Sequence, residues 1–163
     1  MWQRQNDKMQ EVTEKEALNK AAAYCSAAEH CISEVSGKLR TWGMNQHAEA
    51  VISRLIKEKF IDEERFCNSF VREKIRYNKW GKIKTAQALR VKDIDPSIIR
   101  NALDAFDDEE YTDILRQLLQ AKAHTVKAPS EYEKNCKLIR FALSRGFEMP
   151  LVTKLLHAED IME

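Results

Sequence analysis

An apolar residue, a helix-capping residue, an acid and, five positions after the first, a second apolar or small residue recur three times along this chain. The copies are Val12-Thr13-Glu14-Lys15-Glu16-Ala17, Ile61-Asp62-Glu63-Glu64-Arg65-Phe66 and Phe106-Asp107-Asp108-Glu109-Glu110-Tyr111. With Thr13, Asp62 and Asp107 as N-caps, each side-chain oxygen takes an orphan amide of the first helical turn, and the flanking pair occupies the two positions of a hydrophobic staple. The acids that follow suit the positive end of the helix dipole. The caps are spaced by roughly 45 to 50 residues, a period that belongs to helical-repeat architectures. Units of that size bury too little surface to be stable alone and need their neighbours.

The expected fold is all-α, with three tandem three-helix repeats forming an elongated, curved array. Residues 1–12 are expected to be frayed, 13–60 to form the first repeat, 61–106 the second and 107–163 the third. Four Gly and three Pro leave few hairpin signals, and 33% charged with 44% hydrophobic residues suit amphipathic helices. In the first repeat, helices are expected from about Glu14 to His30, from Glu34 after a Ser33 cap, and from Gln46 after Asn45, with Gly43 ending the middle one. In the second, Asp62 caps the first helix, Gly81 opens the next, and Asp95 caps the last with Pro96 at its first position, where a missing amide costs nothing. In the third, Asp107, Ser130 with Glu133, and Pro150 play these parts, Gly146 ends the middle helix, and His124–Pro129 reads as a loop. The last helix of each repeat carries one apolar code: Val51, Ile52, Leu55, Ile56; Ile98, Ile99, Ala102, Leu103; Leu151, Val152, Leu155, Leu156.

No apolar run approaches the roughly 18 residues of a membrane span, and Met1–Gln10 lacks a signal-peptide core, so a cytoplasmic protein without membrane partners is expected. Cys25, Cys31, Cys67 and Cys136 show no C-x-x-C spacing and read as reduced, structural thiols. His30, His47, His124 and His157 are scattered, with no metalloprotease motif, phosphate loop or triad order. Cys25, His30 and Cys31 make three ligands without a fourth, poor zinc geometry. Neither enzyme, metal site nor cofactor is expected.

Charge points elsewhere. Residues 1–60 carry a net +1, 61–106 a net +3 and 107–163 a net −3. Within the middle repeat Arg72, Lys74, Arg76, Lys79, Lys82, Lys84, Arg90 and Lys92 face a single acid, Glu73, before Asp93, a local +7. A solvated helix face explains many such runs. Here one acid leaves few ion pairs within the stretch, and Tyr77 and Trp80 lie inside it, which favours a partner rich in phosphates or carboxylates. Phe66, Phe70 and Tyr77 are expected to share a core face with Cys67 and Val71 beside it, leaving Arg72, Arg76 and Lys79 nearer the other side. Trp80 is expected to pack between helices.

In this middle repeat Ile61-Asp62-Glu63-Glu64-Arg65-Phe66-Cys67, Phe70-Val71, Trp80-Gly81-Lys82, Leu89 and Ile94 resemble the central module of the RecX family, regulators of the bacterial recombinase RecA. Lys137, Leu143 and Arg145-Gly146-Phe147 are similar to the closing motif of that family, and the resemblance runs from about Glu16 to Leu156. Three positions depart from the pattern: Cys67 where Ala is usual, Thr85 where a branched apolar residue is common, and Asp93 where Gly often stands. The resemblance implies a non-catalytic, cofactor-free monomer that lies in the groove of the RecA–DNA filament and limits its assembly or activity, within DNA repair and the SOS response, with single- or double-stranded DNA as a second partner. Without it, the residues support only a basic-centred helical-repeat protein that binds nucleic acid or serves as a scaffold.

Overall fold

A computed structural model describes residues 2–157, and side chains from Thr13 to His157. The described chain is helical throughout: α1 (Trp2–Ala27), α2 (Ile32–Thr41), a 3₁₀ turn (Asn45–His47), α3 (Ala48–Lys57), α4 (Glu63–Arg76), α5 (Lys82–Val91), α6 (Pro96–Ala105), α7 (Asp108–Thr125), α8 (Glu131–Ser144) and α9 (Met149–His157). Among the described residues there is no strand, and no helix is long and apolar enough to cross a membrane. The chain divides into two compact units, one running to Phe66 and including Lys92–Ile94, the other comprising Cys67–Val91 and the chain from Asp95 onward.

Two of the three expected caps are made. The Asp62 carboxylate accepts from Arg65 N–H at 3.0 Å, and Asp107 accepts from Glu110 N–H at 2.8 Å. The staple residues are covered in both, Ile61 and Phe66 being buried, and in the second staple Phe106 meets Tyr111 edge-on with ring centroids 6.4 Å apart. Thr13 is no cap, because α1 begins at Trp2 and carries Thr13 in its interior. The residues ahead of it, Gln, Arg, Lys, Met and Glu among them, are good helix formers with no Gly or Pro to stop propagation. The side chains of the segment expected to fray, 1–12, lie outside the described residues.

In the first unit Ala17, Ala21 and Cys25 recur every fourth residue on α1 and are buried. Their small side chains give α2 and α3 close approach, and Val35, Leu39, Val51, Leu55 and Ile61 fill the space. The cap of α2 is Cys31, two residues before the expected Ser33: its N–H donates to Glu34 Oε1 at 3.2 Å, and its thiol lies 3.3 Å from the Ser33 hydroxyl. Gly43, at φ +72°, ends α2 as expected. The helix expected from Gln46 instead starts at Ala48, behind the 3₁₀ turn that seats His47 in the interior.

In the second unit α4 buries Cys67, Val71 and Ile75, spaced by four. Tyr77 does not join that face. The helix ends at Arg76 and Tyr77 is 80% exposed. Asp95 caps α6 through Ser97 N–H at 2.8 Å, with Pro96 at the first helical position, and Ser130 accepts from Glu133 N–H at 3.2 Å. The apolar code of the last helices marks their buried stripes, centred on Val51 and Leu55, Ile99 and Ala102, and Val152, Leu155 and Leu156, while Ile56 stays 44% exposed. Two of the three departures from the family pattern, Thr85 and Asp93, have local explanations. Thr85 is fully buried but donates its hydroxyl to the Gly81 carbonyl at 2.8 Å, and Asp93 holds φ +58°, a backbone where Gly is cheapest and Asp is tolerated.

Candidate nucleic-acid interface

The basic run begins on α4, crosses the turn 77–81 and continues along α5. The turn wraps tightly: Tyr77 N–H and Asn78 N–H both donate to the Glu73 carbonyl, and Trp80 N–H donates to the Lys74 carbonyl at 3.0 Å. Lys79 is held at φ +58°. The head of α5 is then fastened to the loop between α8 and α9. Gly81 N–H donates to the Arg145 carbonyl at 2.7 Å and Ile83 N–H to the Gly146 carbonyl at 3.0 Å. Between them, Lys82 N–H donates to the Tyr111 hydroxyl at 3.0 Å, which in turn donates to Glu148 at 2.7 Å. Burial, with the Glu148 carboxylate next, pushes the Tyr111 phenol far above its ordinary value, so it stays protonated and keeps that donor. The amides of Gly81, Lys82 and Ile83, which would otherwise help make this helix N-terminus an anion site, are therefore already taken.

The eight bases meet different fates. Arg76 makes a two-pronged contact with Glu110, 2.7 and 3.1 Å, and lies over the Phe106 ring; the hydrogen bond to Glu110 raises its guanidinium pKa further. Lys82 stands 3.6 Å from Asp108 and over the Tyr111 ring. Lys92 belongs to the first unit, where it pairs with Glu34 at 3.2 Å. These acids come from α7 and α2, outside the stretch, so a lack of acids within it does not leave its cations unpaired. Lys74 and Lys84 flank Trp80, their ammonium groups 5.0 and 4.6 Å from the ring centroid. Trp80 is half-buried in this cation–π arrangement, in keeping with its expected packing role. Arg72, Lys79 and Arg90 have no ion-pair partner among the described residues, and Arg72 lines a shallow groove of 160 Å³ with Val71, Arg76, Ala102 and Phe106.

The second unit thus presents uncommitted charge at Arg72, Lys79 and Arg90, two ammonium groups held on Trp80, and an exposed aromatic ring, Tyr77. Helical periodicity alone hid Tyr77 by counting it into the core. The signal available in the sequence was the end of the apolar spacing at Ile75, two residues earlier.

The family models for the second and third three-helix domains of RecX match residues 62–103 and 108–156. The regulatory protein RecX of Prosthecochloris aestuarii is 29% identical over 143 residues, covering 87% of this chain and 92% of that protein. The regulatory protein RecX of Oceanobacillus iheyensis is 26% identical over 118 residues, 72% of this chain but only 43% of the relative, so the chain spans less than half of that protein's length. Among solved structures, the crystal structure of RecX from Lactobacillus salivarius has the same fold, with a TM-score of 0.83 over 92% of this chain and 98% of that one at 22% identity.

Proposed function

This chain belongs to the RecX family, and from that membership we propose that it is a non-catalytic regulator that binds the RecA–DNA filament and lowers the recombinase's ATP hydrolysis and strand exchange. The observation that carries the reading is the middle repeat. The residues matched by the second-domain family model are those that place Lys74, Lys84 and the uncommitted Arg72, Lys79 and Arg90 around one turn-and-helix element. Polyanion contact through such a surface is driven by counterion release and weakens steeply with salt. Arg76, Lys82 and Lys92 contribute to the fold first and to any contact second, since each already answers a carboxylate. The protein acts as a monomer without a cofactor in this reading.

The test adds the protein substoichiometrically to RecA on single-stranded DNA with ATP. Reduced ATPase and strand-exchange rates are expected. Reversing Arg72, Lys79 and Arg90 together to Glu is expected to remove most of the effect while leaving the far-ultraviolet circular dichroism unchanged. Unaltered recombinase rates at saturating protein, with DNA binding intact, would instead identify a helical-repeat nucleic-acid-binding protein with no recombinase partner.

A further inference from the structure

We propose that the turn between α4 and α5 is a docking site for single-stranded nucleic acid, in which the Tyr77 ring stacks on an unpaired base while Lys79, Lys74 and Lys84 neutralise the adjoining phosphates. The inference rests on the reading above only in taking DNA as a partner, and it names the residues and strand state that reading leaves open.

Three observations carry it. Tyr77 is 80% exposed just beyond the end of a helix whose apolar residues are covered, and its side chain has no hydrogen-bond or ring partner among the described residues. An aromatic ring left in water beside several cations suits a base, since every base offers a face to stack on and a phosphate on either side. Next, Trp80, the other aromatic of the turn, is occupied. Two ammonium groups already sit over its ring, so it serves to hold Lys74 and Lys84 beside the turn. Last, Lys79 occupies a left-handed backbone position at φ +58°, where Gly or Asn is favoured. A lysine there gains nothing for the local fold that glycine would not supply at lower strain, whereas its side chain places a free cation two residues from Tyr77. A duplex offers no unstacked base to Tyr77, so the geometry favours single strands; an acidic peptide would satisfy the lysines but leave the ring without a role.

The experiment measures binding of the full chain to a fluorescein-labelled oligothymidylate, to a duplex of equal length and to poly-glutamate, by anisotropy across a salt series and without recombinase. Failure here and failure of filament regulation are thereby seen separately. Tyr77→Ala is expected to weaken oligothymidylate binding roughly tenfold, from the usual worth of one base–aromatic stack. Tyr77→Phe is expected to bind like wild type, and the duplex affinity is expected not to respond to either change. Lys79→Gly is expected to weaken binding several-fold and to flatten the salt dependence by about one phosphate contact, while its thermal midpoint stays level or rises as the left-handed strain is relieved. Equal losses on single strand and duplex, or wild-type single-strand affinity in Tyr77→Ala, would overturn the proposal. So would tight poly-glutamate binding that depends on Tyr77, which would make the occupant an acidic protein segment. A fall in the thermal midpoint of Lys79→Gly would mark Lys79 as a packing residue and overturn its part.

Discussion

Two joints in this molecule link helices distant in sequence, and they are built on opposite principles. In the second unit the head of α5 meets the loop between α8 and α9 backbone to backbone. A Cβ on Gly81 would overlap the Gly146 carbonyl and the Phe147 amide, a Cβ on Gly146 would overlap the backbone and Cβ of Lys84, and Gly146 also holds φ +89°. In the first unit the turn between α1 and α2 is tied to the head of α4 and to Lys92 by side chains. Arg65 reaches Glu29 at 2.5 Å and the Lys59 carbonyl at 3.0 Å, and Glu34 joins the Cys31 amide to the Lys92 ammonium. The first kind of joint is fixed by excluded volume around two buried glycines and by hydrogen bonds made largely by backbone amides and carbonyls, which carry no net charge for salt to screen. The second is made by half-exposed ion pairs, which long side chains can re-form after small displacements and which salt screens. The difference also explains the two most recognisable motifs. Trp80-Gly81-Lys82 meets Arg145-Gly146-Phe147 in one contact: Gly81 is needed because Gly146 and Phe147 backbone lies against it, and Gly146 because Lys84 lies against it and its φ is positive.

The comparison breaks first at the glycines. Gly81→Ala and Gly146→Ala are each expected to cost about 3 kcal/mol or more, because backbone must move and rigid neighbours cannot give way. Urea midpoints measure this, and a loss below about 1 kcal/mol would show that the joint is slack. Next, Tyr111→Phe removes the hydroxyl between Lys82 N–H and Glu148 and leaves both part-buried groups short of a partner. About 2 kcal/mol is expected, and the loss should be the same in low and high salt; a salt-dependent loss would place this joint in the same class as the other.

The smallest effects belong to the ion-pair joint, where pH separates its members. Burial pushes the Glu34 carboxyl up, but the Cys31 N–H and the Lys92 ammonium more than offset it, and its pKa is lowered. A lowered carboxylate pKa contributes stability that is fully present above the ordinary Glu value and is lost as pH falls through the folded-state value. Glu34→Gln is therefore expected to cost about 1 kcal/mol at neutral pH and to match wild type in strong acid. Glu29→Gln, on a more exposed pair, is expected to cost about 0.5 kcal/mol or less and nothing measurable in molar salt. Thermal melts across pH and salt decide both; a large, salt-independent loss at Glu29 would erase the distinction between the joints.

The sequence by itself determined the all-α class, the caps at Asp62, Asp95, Asp107 and Ser130, the stops at Gly43 and Gly146 and the buried stripes of the last helices, because caps, glycines and apolar spacing act within one or two turns of chain. It also carried the family, through motifs whose spacing survives without coordinates. Where it misled, competition or distance was responsible. Thr13 fits a cap motif, yet good helix formers ahead of it let α1 propagate past, and Tyr77 fits the apolar spacing of a helix that has already stopped. The basic run is where tertiary structure decided most. Arg76, Lys82 and Lys92 look as free as Arg72, Lys79 and Arg90 along the sequence, and only folding brings Glu110, Asp108 and Glu34 to them across tens of residues. Helix formation is a local equilibrium and is written locally; whether a charge is free depends on which other side chain arrives beside it, and that is settled by packing.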